Sequence, residues 1–154
     1  MKKWTACIVV LALLCAFALA EGVPGISNDL FSDAKEALSL LSYGEYQKVA
    51  DLLGLGEAAD WETFAGEFKT LDSGTVQREV SVAWWTGNAW LLAVPVSEPK
   101  SAGVEAIVFT SADGSAFSGY QRSDWGSVQS AYAGSSYVTW NEEYVAGTPV
   151  VIAD

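Results

Sequence analysis

Carboxylates are the only abundant side chains in this sequence that could move a proton near neutral pH. The chain of 154 residues holds 19 Asp and Glu against 8 Lys and Arg, no histidine, and two cysteines, Cys7 and Cys15. Without imidazole there is no Ser-His-Asp triad, no histidine base and no histidine metal ligand. The formal net charge of −11 repels phosphate backbones, so a nucleic-acid partner is not expected.

The acids do not fall into a catalytic arrangement. Glu142 and Glu143 are neighbours on a predicted strand, where consecutive side chains point to opposite faces. Asp113 precedes Gly114, and that dipeptide belongs to a hairpin turn. Glu79, Glu105 and Glu143 alternate with apolar residues and are expected on a solvated face. A glycosidase needs two carboxylates at a set separation, and none of these supplies such a pair. Ser97 and Lys100 flank Pro99 in a loop, which is no nucleophile motif. Neither a P-loop, nor a G-x-G-x-x-G turn, nor a calcium loop is present. No catalytic residue, metal or other cofactor is therefore assigned.

Tryptophan is the unusual feature, with seven in the chain. Rings stack on flat or apolar ligands, and short polar neighbours orient them. Trp84, Trp90 and Trp140 are expected on one inner face, lining a ligand pocket. Trp85 is next to Trp84 on a strand and must point the other way. With Tyr137 it forms a candidate surface or interface patch.

Amphipathic periodicity places the elements that carry these residues. Ser27, Asn28 and Asp29 are N-cap candidates before Leu30, Phe31, Ala34, Leu38 and Leu41, which share one helical face up to a stop at Gly44. Tyr46, Val49, Ala50 and Leu53 form a second short helix ended by Gly54 and Gly56. Trp61, Phe64, Ala65, Phe68 and Leu71 stripe a third, predicted to run to Asp72, and the stripe is expected in the core. Strand signals follow. Val76 to Trp84 alternates, Thr86–Gly87–Asn88 turns, and Trp90 to Val96 alternates again. Further strands are predicted over 104–111, 116–121, 137–145 and 150–152, with a short helix capped by Ser123 or Asp124 before the last two. The class is α+β, with N-terminal helices packed on a curved, mainly antiparallel sheet.

The first residues read differently. Lys2 and Lys3 precede an apolar run from Ala6 to Phe17, and Ala18 and Ala20 are small. That is a secretory signal peptide, cleaved after Ala20 and too short to anchor the chain in a bilayer. Leu14 stands before Cys15, where lipidation requires a small residue, so Cys15 is not expected to be a lipid anchor. Residues 21–154 are then one domain, free of cysteine. It carries six basic residues against 19 acidic, a net charge of −13. The protein is expected to be secreted or held in the cell envelope, with no membrane span after cleavage.

Two stretches carry a family resemblance. Leu38–Ser39–Leu40–Leu41–Ser42–Tyr43–Gly44–Glu45–Tyr46–Gln47–Lys48–Val49 resembles the helix, Gly-Glu-Tyr, helix opening of secreted nuclear transport factor 2-like domains of the cystatin-like superfamily. Ile107 to Tyr120, through Asp113–Gly114, is similar to their strand, turn, strand. The resemblance covers about residues 27–145 and implies a cone: a curved sheet wrapping the helices, with a pocket at its open end. Enzymes of that family place Asp, His or Tyr in the pocket. Here histidine is missing, and the expected inner face (Val80, Val82, Trp84, Trp90, Leu92, Val94, Val108, Trp140) is apolar, so no catalytic residue carries over.

The reading that follows is an exported, non-enzymatic domain that binds a small apolar or aromatic-compatible molecule or a protein partner. Two alternatives stand beside it. One is a small pocket enzyme of isomerase or dehydratase type using a buried carboxylate. The other is a structural or interaction protein that forms a homodimer through its sheet.

Overall fold

The computed structural model describes residues 23–71, 81–97 and 103–140. The predicted signal segment, the predicted strand residues 76–80, Glu79, Lys100, the pair Glu142 and Glu143, and the predicted strand residues beyond 140 lie outside these.

Among the described residues three helices come first: α1 (Asn28–Ser42), α2 (Tyr46–Leu53) and α3 (Ala58–Ala65). The N-cap of α1 is Ser27, whose Oγ accepts from the Asp29 N–H at 3.2 Å and satisfies one orphan donor of the first turn. Gly54 ends α2 with φ of 60°, a left-handed cap that costs glycine little. The third helix stops earlier than its apolar stripe suggests. It ends at Ala65, with Gly66 as C-cap, so Phe68 and Leu71 belong to the segment after the helix and not to α3. They still pack against the core beside it.

The strands are β1 (Val82–Trp85), β2 (Trp90–Pro95), β3 (Glu105–Ser111), β4 (Gly119–Asp124) and β5 (Tyr137–Thr139), with a fourth helix α4 (Trp125–Ala131) between the last two. They form one open antiparallel sheet in the order β4-β3-β2-β1-β5. The α+β class with an N-terminal helical part is thus the architecture of the chain.

Both faces of the sheet are covered. On one face Trp90, Leu92, Val94, Ile107, Phe109 and Val138 meet the apolar sides of α1, α2 and α3. On the other, Trp84, Ala93, Val104, Ala106 and Val108 pack under Trp125 and Val128 of α4. Burial on both sides explains why β2 and β3 read as nearly continuous apolar runs. Among the described residues no helix is long and apolar enough to cross a membrane.

The β3–β4 connection is wider than a two-residue turn. Gly114 has φ of 77° and lies under the segment before α1, where Ser27 N–H donates to its carbonyl at 2.7 Å. Phe117 turns inward onto Phe109, ring centroids 4.7 Å apart. The connection thereby consumes residues 112–118, and the fourth strand begins at Gly119, three residues later than the alternation implies.

Candidate functional site

The three tryptophans expected to share a pocket do not share a face. Trp85 is paired with Trp90 and Trp84 with Leu91 across the hairpin. Residues 86–89 connect them, and an even number of connecting residues pairs odd positions with even ones. Trp84 and Trp90, both even, must therefore point to opposite sides. Trp84 lies beneath α4, with its ring 6.0 Å from that of Tyr132. Trp90 is fully buried on the side of α1 to α3, and its indole N–H donates to the Pro24 carbonyl at 3.1 Å. Trp140 joins the same core as Trp90. All three are under 10% exposed, with packed side chains around them. Trp85 lies on the same face as Trp90, ring centroids 5.6 Å apart, whereas Tyr137 packs with Trp84 on the α4 side. The expected patch of Trp85 and Tyr137 is thus divided between the two faces, and both rings are partly buried.

A different set of residues is brought together at the open edge of the sheet. A cleft of about 760 Å³ is lined by Phe64, Glu67, Lys69, Gly103, Glu105 and the consecutive strand residues Tyr120 to Asp124. One wall is built by stacking. The Tyr120 ring lies 3.9 Å from that of Trp61, nearly parallel, and Phe64 meets it edge-on at 4.8 Å. The Trp61 indole N–H donates to the Leu55 carbonyl at 2.7 Å, which fixes the ring in its plane. Gly56 permits this close approach. A Cβ there would stand 3.3 Å from Trp61 Nε1 and 3.4 Å from the Tyr120 hydroxyl, at a φ of 69°.

Charge is held in the same place. Glu105, expected on a solvated face, points to the helix side, and its side chain is only 13% exposed. Arg122 donates to Glu105 Oε1 from Nε at 2.7 Å and also from Nη2, and the backbone N–H of Lys69 donates to Oε2 at 3.1 Å. The Arg122 guanidinium also sits over the Phe68 ring, 5.8 Å from its centroid. Burial works to raise the Glu105 carboxyl, but the Lys69 N–H, the Arg122 hydrogen bonds and the nearby positive charges together hold it below the usual range. Tyr120 moves upward, by desolvation first and then by the negative charges of Asp60 and Glu67. Asp124 is held low by the Ser127 N–H, which it accepts at 2.8 Å as N-cap of α4.

A second cleft of about 650 Å³ lies between α2 and α3, lined by Gln47, Asp51, Gly54, Gly56, Glu57 and neighbouring alanines. Among the described residues no group of three or more His, Cys, Asp or Glu side chains could hold a metal ion. Among the described residues the one carboxyl pushed upward, Asp33 on α1, owes this to partial burial and to Asp29 and Glu36 nearby, and it lines neither of these two clefts.

Glu105, Arg122, Lys69 and Tyr120 were not legible as a group. Glu105 lies on one arm of the predicted hairpin and Arg122 one residue past the predicted end of the other, opposite charges whose proximity is a signal that could have joined them. The register that brings them within reach depends on the length of the 112–118 connection. Lys69 acts through its backbone, which has no signature in a sequence. Compared with known protein families, curated proteins and solved structures, the chain matches none.

Proposed function

We propose that this chain is an exported, non-enzymatic binding domain whose recognition site is the cleft beside β4 and not the apolar interior. The observation that carries the reading is the ion-paired, aromatic-walled cleft itself, in which Tyr120 and Phe64 stand beside Arg122, Glu105 and Lys69. A ring wall with oriented charges suits recognition of a polar partner. The Glu105 carboxyl is held below its usual range by its donors, which favours the ionised state of an anchoring group and is opposite to a general acid, whose pKa must be raised. An interior pocket for an apolar molecule finds no support in Trp84, Trp90 and Trp140, which are packed on two faces. The resemblance to nuclear transport factor 2-like domains belongs to this proposal, since what it implies is an α+β cone with a pocket at its open end.

Resonance mapping of the protein with a library of small charged and aromatic fragments tests it. The shifts should gather at Phe64, Glu67, Lys69, Glu105 and residues 120–124. Shifts gathered around Trp90 and Trp140, or around Trp84 and α4, would sink the reading. Export is tested separately, by the mass of the mature N-terminus, expected to start at Glu21.

A further inference from the structure

Among the described residues strand β4 is the longer open edge of the sheet, and its backbone geometry says more about what the cleft receives. We propose, resting on the binding role assigned to this cleft, that it takes an extended, cationic segment of a partner protein, which adds to β4 as a further strand.

The free side of β4 follows from the ladder. Trp125 N–H donates to the Val104 carbonyl at 2.9 Å, so that pair is hydrogen-bonded in the register that sets Glu105 opposite Asp124. Val96 N–H donates to the Glu105 carbonyl at 2.9 Å, which turns the odd residues of β3 toward β2 and the even ones toward β4. Alternation then directs the backbone groups of Gly119, Gln121 and Ser123 to β3 and those of Tyr120, Arg122 and Asp124 outward. No strand pairs with that outer side among the described residues.

This edge is built for pairing in other respects. It runs six residues without proline, whereas the opposite edge, β5, has three. The cleft follows it through five consecutive residues, from Tyr120 to Asp124, so an added strand would lie in the cleft itself. In such strand addition the main chain supplies affinity, and alternate side chains of the guest meet the walls and supply specificity.

Charge selects the guest. Glu105 is already satisfied by Arg122 and Lys69 N–H. Of the remaining lining charges, Glu67 and Asp124 are exposed carboxylates, the second also capping α4 through one oxygen, against the single exposed ammonium of Lys69. The whole chain carries −11, which draws a basic segment to the edge and repels a second copy.

The test uses an extended peptide of alternating Lys and Thr, its counterpart of alternating Glu and Thr, and two forms of the Lys peptide N-methylated on alternate residues in either phase. The Lys peptide should shift resonances of residues 120–124 and slow amide exchange at Tyr120 and Arg122 by about tenfold or more. The Glu peptide should leave them unchanged, and one methylated phase should lose the binding. If both methylated forms bind as well as the parent, the cleft attracts charge without adding a strand, and the proposal falls while the binding role stands. If the Glu peptide binds equally, the cationic guest is overturned. If no peptide moves the cleft residues while small fragments do, strand addition is again overturned. A protein that is dimeric by itself, with the Tyr120 and Arg122 amides already protected, would assign the edge to a second copy and overturn the proposal.

Discussion

The ring of Tyr120 on the edge strand lies 3.9 Å from the ring of Trp61 on α3, with 23° between their planes. The stack ties the helical layer to the last strand of the sheet. One wall of the cleft is thereby part of the core, and Trp61, which is fully buried, is its foundation. Replacing Trp61 by Ala is expected to cost about 3 to 5 kcal/mol of stability, as large core aromatics do. Trp61→Phe should cost less, because only the Leu55 hydrogen bond and part of the stack are lost. Urea denaturation of both variants checks the order, and equal losses would argue against any stabilising contribution from the ring stack itself.

Two glycines separate backbone strain from steric exclusion. A Cβ on Gly114 would lie 2.1 Å from the Gly25 carbonyl oxygen, at a φ of 77°, so Gly114→Ala must displace the segment before α1. It is expected to cost about 3 kcal/mol or more. Gly103 has a similar φ of 70° but nothing within 4 Å of its would-be Cβ. Gly103→Ala should cost only the left-handed penalty, about 1 kcal/mol. Paired denaturation curves give the comparison.

The Glu105 pair predicts an acid-side loss of stability. The folded carboxyl titrates below its ordinary value of 4.5. Its stabilising contribution is therefore fully present above about pH 4.5 and disappears as pH falls through the lower folded value. Glu105→Gln should be less stable than the wild type by about 0.5 to 1 kcal/mol at pH 7, the scale of a screened ion pair. The gap should narrow toward pH 3 and shrink in high salt. A gap that widens on acidification would contradict the assigned cause.

Asp33 predicts the opposite slope. Its folded carboxyl is raised above 3.8 by desolvation, with Asp29 and Glu36 adding to the effect. Folding then favours the protonated form, and the ionised acid is a small burden above the folded value. Asp33→Asn should gain stability at pH 7 by less than about 0.5 kcal/mol, as a half-exposed site allows. The gain should vanish below pH 3.8, and thermal melts at pH 3 and pH 7 will show whether it does.

The helices were legible because a helix declares itself over a short window. Ser27 and Gly54 cap where their chemistry implies, and the apolar positions from Leu30 to Leu41 face the core. The strands were legible as strands, but their faces were less so. Burial on both sides of the sheet removes the contrast between apolar and polar positions, so Trp84 and Trp85 offer no internal sign of which points where. Register supplies that sign, and it depends on the residues connecting the strands.

Composition alone removed histidine and thiol chemistry from residues 21–154, and the spacing of apolar residues alone determined the α+β class, since both act locally. The location of the cleft was decided by tertiary structure. Glu105, Arg122 and the Lys69 amide are separated by as many as 53 positions, as the numbers 69 and 122 show, and meet because the β3–β4 register and the chain after α3 carry them to one sheet edge. Pairwise electrostatics and stacking fall off over a few ångströms, and no pattern along the chain encodes a distance in space.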